Sequence, residues 1–197
     1  MEHAADTGLL ILRIFLGLLM VAHGSQKLFG WLNGYGVAGT GEYFESIGYP
    51  SGKLMAVLAA LVEAGGGAAF AAGFLTPVVS LIFIALFVNV AWAGHGHTFW
   101  NHNQPFGIEY PLVLGVLSAT FAYTGPGRYS LDSAMDWSLL GPGWFTAAVG
   151  IGLVAGLGGL ALKGRPKVAS AGSTADSSPE EAAHERPSTV DEMTGAR

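Results

Sequence analysis

Long apolar runs separated by polar or aromatic connections dominate the chain. A helix rises about 1.5 Å per residue, so roughly 20 apolar residues cross a hydrocarbon core of about 30 Å. Five runs approach or reach that length and are predicted as membrane-spanning helices: 8–29, 54–74, 77–93, 110–123 and 143–162. In a bilayer each spanning segment must satisfy its own backbone groups, so these runs are helical despite their glycines and β-branched residues.

The connections between the runs set the predicted organisation. The first connection, 30–53, is long and aromatic and is expected in the headgroup zone, whereas the second, 73–77, is tight and makes an antiparallel hairpin. The predicted fold is an all-α integral membrane helical bundle. Its predicted parts are a four-helix domain at 1–135, a fifth transmembrane helix at 136–163 and a disordered tail at 164–197.

Composition supports a membrane protein and excludes several kinds of chemistry. Hydrophobic residues make up 51% of the chain and charged residues 12%, with a mean hydropathy of +0.45. A soluble domain carries about 25% charged residues. The net charge of −5 comes without a basic stripe, so no nucleic-acid partner is predicted. The absence of cysteine excludes disulfides, iron–sulfur ligation and c-type haem attachment.

Lysine and arginine near the ends of the runs predict the orientation. Cytoplasmic ends of membrane helices carry an excess of these residues. With five spans and the tail inside, Arg128 alone lies outside, and the cytoplasmic set is Lys27, Lys53, Lys163, Arg165 and Lys167. The N-terminus is therefore predicted outside the membrane and the C-terminal tail in the cytoplasm.

Four ionisable residues lie inside the first two runs. Charges at this depth are costly, so they normally face a bundle interior or a water-filled cavity. At about 100° per residue, Arg13 and Lys27 share one stripe of the first helix, with His23 at its margin. Glu63 lies near the middle of the second run and is expected to meet Arg13 or His23 if the two helices adjoin. Two interpretations remain: a structural clamp between helices, or direct proton or ligand handling.

A second polar group lies in and beside the third connection. His95, His97, His102 and Glu109 are residue types that bind zinc, copper or iron, but their spacing matches no strong template, and no metal ligand is assigned. Lining the mouth of a cavity is the other interpretation. Asn89 is polar at depth in the third run and is expected to form hydrogen bonds between helices.

Several short motifs, in this order, resemble those of the DoxX family of small bacterial membrane proteins, which is related to the DoxD subunit of thiosulfate:quinone oxidoreductase. The motifs are Arg13-x-x-x-Gly17, His23-Gly24-x-x-Lys27, Tyr43-Phe44, Gly48-Tyr49-Pro50, Glu63-x-x-Gly66-Gly67, Gly73-x-x-Thr76-Pro77, the His95/His97 loop, Glu109-Tyr110 and Gly125-x-Gly127-Arg128-Tyr129-Ser130-Leu131-Asp132. The resemblance implies a four-helix membrane core formed by the first four runs. The fifth run and the tail fall outside it.

The resemblance also implies a role in a membrane oxidoreductase system of the bacterial plasma membrane, either quinone-linked or related to sulfur or oxidative stress. The expected cofactor is a quinone bound non-covalently, and the expected partners are lipid and the proteins of a redox complex. The predicted catalytic residues are Glu63, His23, Arg13 and Lys27, and the predicted cofactor-binding residues are His95, His97, Asn89 and Glu109.

Two other functions stay open at this point. The protein is a non-catalytic scaffold that recruits soluble redox enzymes, or it is a small-solute transporter. The sequence disfavours a transporter because it contains no inverted repeat and no pair of interrupted hydrophobic segments.

Overall fold

The computed structural model describes residues 2–93, 99–100, 107–137 and 139–164. Within them the chain forms seven helices and no strand, which confirms the predicted all-α class. The helices are α1 (Glu2–Phe29), α2 (Gly36–Ser46), α3 (Gly52–Ala72), α4 (Thr76–Ala93), α5 (Glu109–Thr124), α6 (Leu131–Ala134) and α7 (Gly141–Leu160). The predicted disordered tail lies outside the described residues.

Four of the described helices are long and apolar enough to cross a bilayer: 3–29, 52–72, 76–93 and 141–160. The run at 110–123 forms α5, whose 16 residues rise about 24 Å, less than the roughly 30 Å of the hydrocarbon core. The outer side chains of α1, such as Ile11 and Phe15, are exposed and apolar. Such surfaces contact lipid, so the protein is embedded in the membrane.

Glycines allow α1 and α3 to approach until their backbones touch. A Cβ atom added to Gly17 would lie 2.5 Å from the carbonyl oxygen of Gly67, and one added to Gly24 would lie 2.5 Å from the amide nitrogen of Ala64. In lipid there is little hydrophobic driving force between helices, so close van der Waals contact between small residues holds such pairs together. These contacts also fix the relative shift of the two antiparallel helices along their axes.

Aromatic side chains fill the space between the α1–α3 pair and helices α4 and α5. The ring of Phe70 lies 5.5 Å from that of Phe83 and 4.9 Å from that of Phe121, the second contact being edge-on. Leu16 and Met20 of α1 pack against the same cluster, and all five side chains are at most 1% exposed. We call these five residues the apolar layer.

Helix α7 packs on α4 through a second line of glycines. A Cβ atom on Gly156 would lie 2.6 Å from the carbonyl oxygen of Ala85. Trp144 donates its indole N–H to the carbonyl of Pro77 over 3.3 Å, near the start of both helices. The predicted fifth membrane helix is therefore present and is part of the same bundle as the first four.

One end of the bundle gathers the lysines and is called the lysine end. Lys27 lies two residues before the end of α1, and Lys53 is the second residue of α3. Lys163 donates to the carbonyl of Ala93 over 2.7 Å, and the amide of Gly164 donates to Gly48 over 2.8 Å. The opposite end carries the N-terminus of α1, the α3–α4 turn and the connection from α5 to α7.

We expect Gly24→Ala to destabilise the bundle, because its methyl group collides with the α3 backbone and forces the helices apart. The expected cost is about 1–3 kcal/mol, measured as a lower melting temperature in mild detergent. Gly8→Ala is the matched control, since nothing lies within 4 Å of its added Cβ. Equal melting temperatures for the two variants would contradict the close contact between α1 and α3.

The predicted orientation is testable with single cysteines, because the natural chain has none. Ser46 is exposed at the lysine end and Ser133 is exposed at the opposite end. In intact cells a membrane-impermeant maleimide should label Ser133→Cys, and it should label Ser46→Cys only after the membrane is opened. The reverse pattern would invert the predicted topology.

Candidate functional site

The contact between α1 and α3 places Glu63 beside the second half of α1. Gly24 lies against Ala60 and Ala64, so Glu63 is level with His23. Side chains on a helix tilt toward its N-terminus, and α1 and α3 are antiparallel. Lys27 therefore points into the bundle from the lysine end while Glu63 points toward that end, and the Lys27 ammonium forms an ion pair with Glu63 Oε1.

The ion pair joins a buried carboxylate to a partly exposed ammonium. The side chain of Glu63 is 3% exposed and that of Lys27 is 24% exposed. The second carboxylate oxygen, Oε2, is buried and has no hydrogen-bond partner among the described residues. A buried acceptor without a donor costs free energy, more so when it carries charge. Glu63 Oε2 is thus the atom of this pair to which a further donor would bind most favourably.

A hydrogen bond links the same region of α1 to α5. His23 Nε2 lies 3.2 Å from the hydroxyl oxygen of Tyr110, the second residue of α5. Glu63 lies close enough to act electrostatically on both groups. The N-terminal end of α5, which carries partial positive charge, is therefore level with the carboxylate. We refer to His23, Lys27, Glu63 and Tyr110 as the inner polar group.

Arg13 lies outside the inner polar group. It is ten residues before His23, about 15 Å along α1, and is 2% exposed. Its Nη1 donates to the carbonyl of Pro126 over 3.2 Å, and its Nη2 donates to the carbonyl of Tyr129. Of the two partners expected for Glu63, His23 lies beside it and Arg13 does not, while Lys27 supplies the opposite charge.

Asp132 holds the opposite end together with Arg13. Its carboxylate accepts the amides of Leu75 and Thr76 over 2.7 and 2.8 Å, which caps the N-terminus of α4. Its own amide donates to the carbonyl of Gly73 over 2.8 Å. The loop at 125–132 therefore stabilises the α3–α4 turn. Arg13 was predicted to be catalytic and Asp132 had no predicted role, because periodicity does not show which loop covers a helix end.

Asn89 forms hydrogen bonds with two other elements, as expected for a polar residue at depth in the third run. It accepts the Tyr49 hydroxyl over 2.9 Å and donates to the carbonyl of Gly156 over 3.3 Å. Burial raises the pKa of Tyr49. Lys163 lies 5.7 Å from the centre of the Tyr49 ring. These contacts join α4, α7 and the first connection, away from the inner polar group.

The remaining predicted cofactor-binding residues are only partly described. Glu109 begins α5, is half-buried and directly precedes Tyr110. His95 and His97 lie outside the described residues, so their role at a cavity mouth stays a prediction. In the described parts of the chain, no three His, Asp or Glu side chains are placed to share a metal ion. No role was predicted for Tyr110. The sequence feature that could have identified it is a hydroxyl side chain at the start of an apolar run.

The long apolar helices with inward-facing charges are those of a helical integral membrane protein. A family model described as DoxX matches residues 8–96. The inner membrane protein YqjF of Escherichia coli K12 is 32% identical over 136 residues, which cover 69% of this chain and 98% of that protein. The chain belongs to the DoxX family.

Two further relatives show similar levels of identity. The inner membrane protein YphA of Escherichia coli K12 is 31% identical over 63% of this chain and 87% of its own length. A protein of Bacillus subtilis 168 named "Putative oxidoreductase CatD" is 34% identical over 67% of this chain and 90% of its own length. No solved structure matches the chain. With its apolar helices, this likeness identifies a bacterial membrane protein.

We expect Asp132→Asn to destabilise the protein, because it replaces one of two acceptors with a donor that faces a backbone N–H. The expected loss is about 1–3 kcal/mol, measured by thermal unfolding in detergent. Asp136→Asn is the matched control, since Asp136 is exposed four residues away. A loss of equal size in both variants would show that the α4 cap contributes nothing specific.

Proposed function

We propose that the protein is the membrane subunit of an oxidoreductase system and that its inner polar group binds a quinone. The observation that carries this proposal is the Lys27–Glu63 pair, in which the buried Glu63 Oε2 has no donor among the described residues. The hydroxyl of a quinol, the reduced form of a quinone, would supply that donor. Ionisable residues inside membrane helices mark ligand or proton pathways by default. The relative whose name describes an oxidoreductase also supports a role in redox chemistry.

The residue types of the inner polar group suit a quinone. A quinone is a lipid-soluble ring with two carbonyl oxygens, which accept hydrogen bonds. Lys27, His23 and Tyr110 each carry a donor, and they lie around one acid. A lipid-soluble ring can reach polar groups inside apolar membrane helices from the bilayer, which a polar solute does not do. The site therefore offers convergent polar groups to a ligand that partitions into the membrane.

Glu63 is the proposed proton carrier. When a quinone is reduced, the ring accepts two electrons and each carbonyl oxygen gains one proton. A carboxylic acid beside the carbonyl can give up such a proton and then be reprotonated. The ammonium of Lys27 stabilises the carboxylate that remains, because opposite charge favours the ionised form.

The electrons are proposed to come from a partner redox protein. The chain has no cysteine, so it ligates no iron–sulfur cluster through thiolates. The partner would dock on the membrane protein and pass electrons to the bound quinone. The lysine end, predicted to be cytoplasmic, is the proposed docking side, because the inner polar group lies nearer to that end.

A scaffold without catalytic activity is the second candidate. It is favoured by one observation: Lys27 and Glu63 already neutralise each other across the α1–α3 contact. Buried ion pairs of this kind often fix how helices pack and do no chemistry. The two candidates differ in what happens when the carboxylate is replaced by its neutral isostere.

Glu63→Gln should abolish quinone-dependent turnover in membranes and remove co-purified quinone. The amide keeps the shape but carries no exchangeable acid proton, and Lys27 can extend to the lysine end, so the protein should stay folded. Quinone extracted from protein purified in mild detergent, measured per mole of protein, gives the binding readout. Glu42→Gln, an exposed position on α2, is the matched control.

Unchanged turnover and unchanged quinone content in Glu63→Gln would overturn the proposal. If the same variant also captured soluble partners as well as the natural protein does in crosslinking experiments, the scaffold function would be supported. A melting temperature within a few degrees of the control separates loss of chemistry from loss of fold.

A further inference from the structure

We propose that the inner polar group exchanges protons with water at the lysine end of the bundle only. The use of those protons in quinone chemistry rests on the proposed function. The route itself rests on packing, so it can be tested without a substrate.

Exposure of the inner polar group rises toward the lysine end. Glu63 is 3% exposed, and Lys27, which lies nearer that end, is 24% exposed. Lys27 lies two residues from the end of α1 and reaches inward to the carboxylate. A side chain that touches both the buried acid and the outer part of the bundle is suited to carry protons between them.

Helix α5 begins only part of the way along α1. Tyr110, in the first turn of α5, is level with His23, whereas α1 continues for six more residues. Those six residues rise about 9 Å. Over that length, among the described residues, α5 does not cover the approach to Glu63 and Lys27.

Toward the opposite end the interior is closed by the apolar layer. Leu16 and Met20 lie on α1 between Arg13 and His23, and Phe70 lies on α3 between Glu63 and Gly73. With Phe83 and Phe121 they make continuous contact, and each of the five is at most 1% exposed. A packed aromatic layer of this kind excludes water, because it holds no polar group to bind it.

Buried hydroxyls beyond the apolar layer do not open a second route. Thr76 and Ser80 of α4 are fully buried, one turn apart, and their hydroxyl oxygens have no hydrogen-bond partner among the described residues. They lie on the side of Phe83 that faces Arg13 and Asp132. Arg13 and Asp132 in turn bind the loop and turn that cover this end.

The ionisable groups that face Glu63 come from two helices. Helix α1 contributes His23 and Lys27, and α5 begins with Glu109 and Tyr110. At this level α4 contributes the aromatic ring of Phe87 to the core. Among the described residues, these ionisable neighbours of the carboxylate thus lie level with it or nearer the lysine end, which gives protons one direction of exchange.

Single cysteines can measure this asymmetry because the natural chain has none. His23 lies six residues, about 9 Å, inside the lysine end of α1, and Ser80 lies four residues, about 6 Å, inside the opposite end of α4. The probe is a charged, membrane-impermeant thiosulfonate applied to inverted and to right-side-out vesicles. If water entered equally from both ends, Ser80→Cys would react first because it is shallower.

We expect His23→Cys to react from the lysine end, on the order of tenfold or more faster than Ser80→Cys reacts from either end, since burial suppresses the reactive thiolate. Tyr110→Cys repeats the measurement on α5 in case His23→Cys fails to fold, which its melting temperature reports. Labelling of Ser80→Cys from the opposite end, or of His23→Cys from that end, would overturn the inference. So would absence of labelling at both His23→Cys and Tyr110→Cys in folded protein.

The outcomes keep the two proposals apart. Labelling from the lysine end in a protein that binds no quinone leaves the access route standing and rejects the proposed function. Quinone binding together with labelling of Ser80→Cys from the opposite end retains the function and rejects one-sided exchange.

Discussion

The free-energy cost of charge in hydrocarbon decides where the charged side chains inside the first two membrane helices lie. Glu63 meets that cost by pairing with Lys27, and Arg13 meets it by binding two backbone carbonyls. Neither solution is available to a helix in isolation. The two charged helices must therefore lie side by side, and the glycine contacts that bring their backbones together are a condition for the polar interior.

The interior is divided by the apolar layer into two polar regions with different characters. At one end Arg13 and Asp132 are engaged with backbone groups, which makes that region part of the architecture. At the other end, within the described part of the chain, the inner polar group keeps a buried acceptor without a donor, and its members are linked through side chains. Fixed backbone contacts suit stability, whereas exchangeable side-chain contacts suit binding and proton transfer.

Much of the fold is predictable from the sequence, because the bilayer leaves few alternatives. Apolar run length predicted the helices, and inward-facing charge predicted that Glu63 and the basic residues of α1 lie inside. The partner of Glu63 was not predictable in the same way. Periodicity shows which face of a helix points inward, but not how far the helix is shifted along its axis relative to a neighbouring helix. Here the contact between Gly24 and Ala64 sets that shift. The contacts of Arg13 were not predictable either, because they depend on the loop at 125–132. Its catalytic role stays a prediction.

Helix α7 lies beyond the region that the DoxX family model matches, which ends at residue 96. Two residues inside that region nevertheless bind α7 and the segment that follows it. The Asn89 amide donates to the carbonyl of Gly156, and the carbonyl of Ala93 accepts from Lys163. A chain cut before α7 would lose both hydrogen bonds, so α7 is a structural part of the bundle and not an appendage.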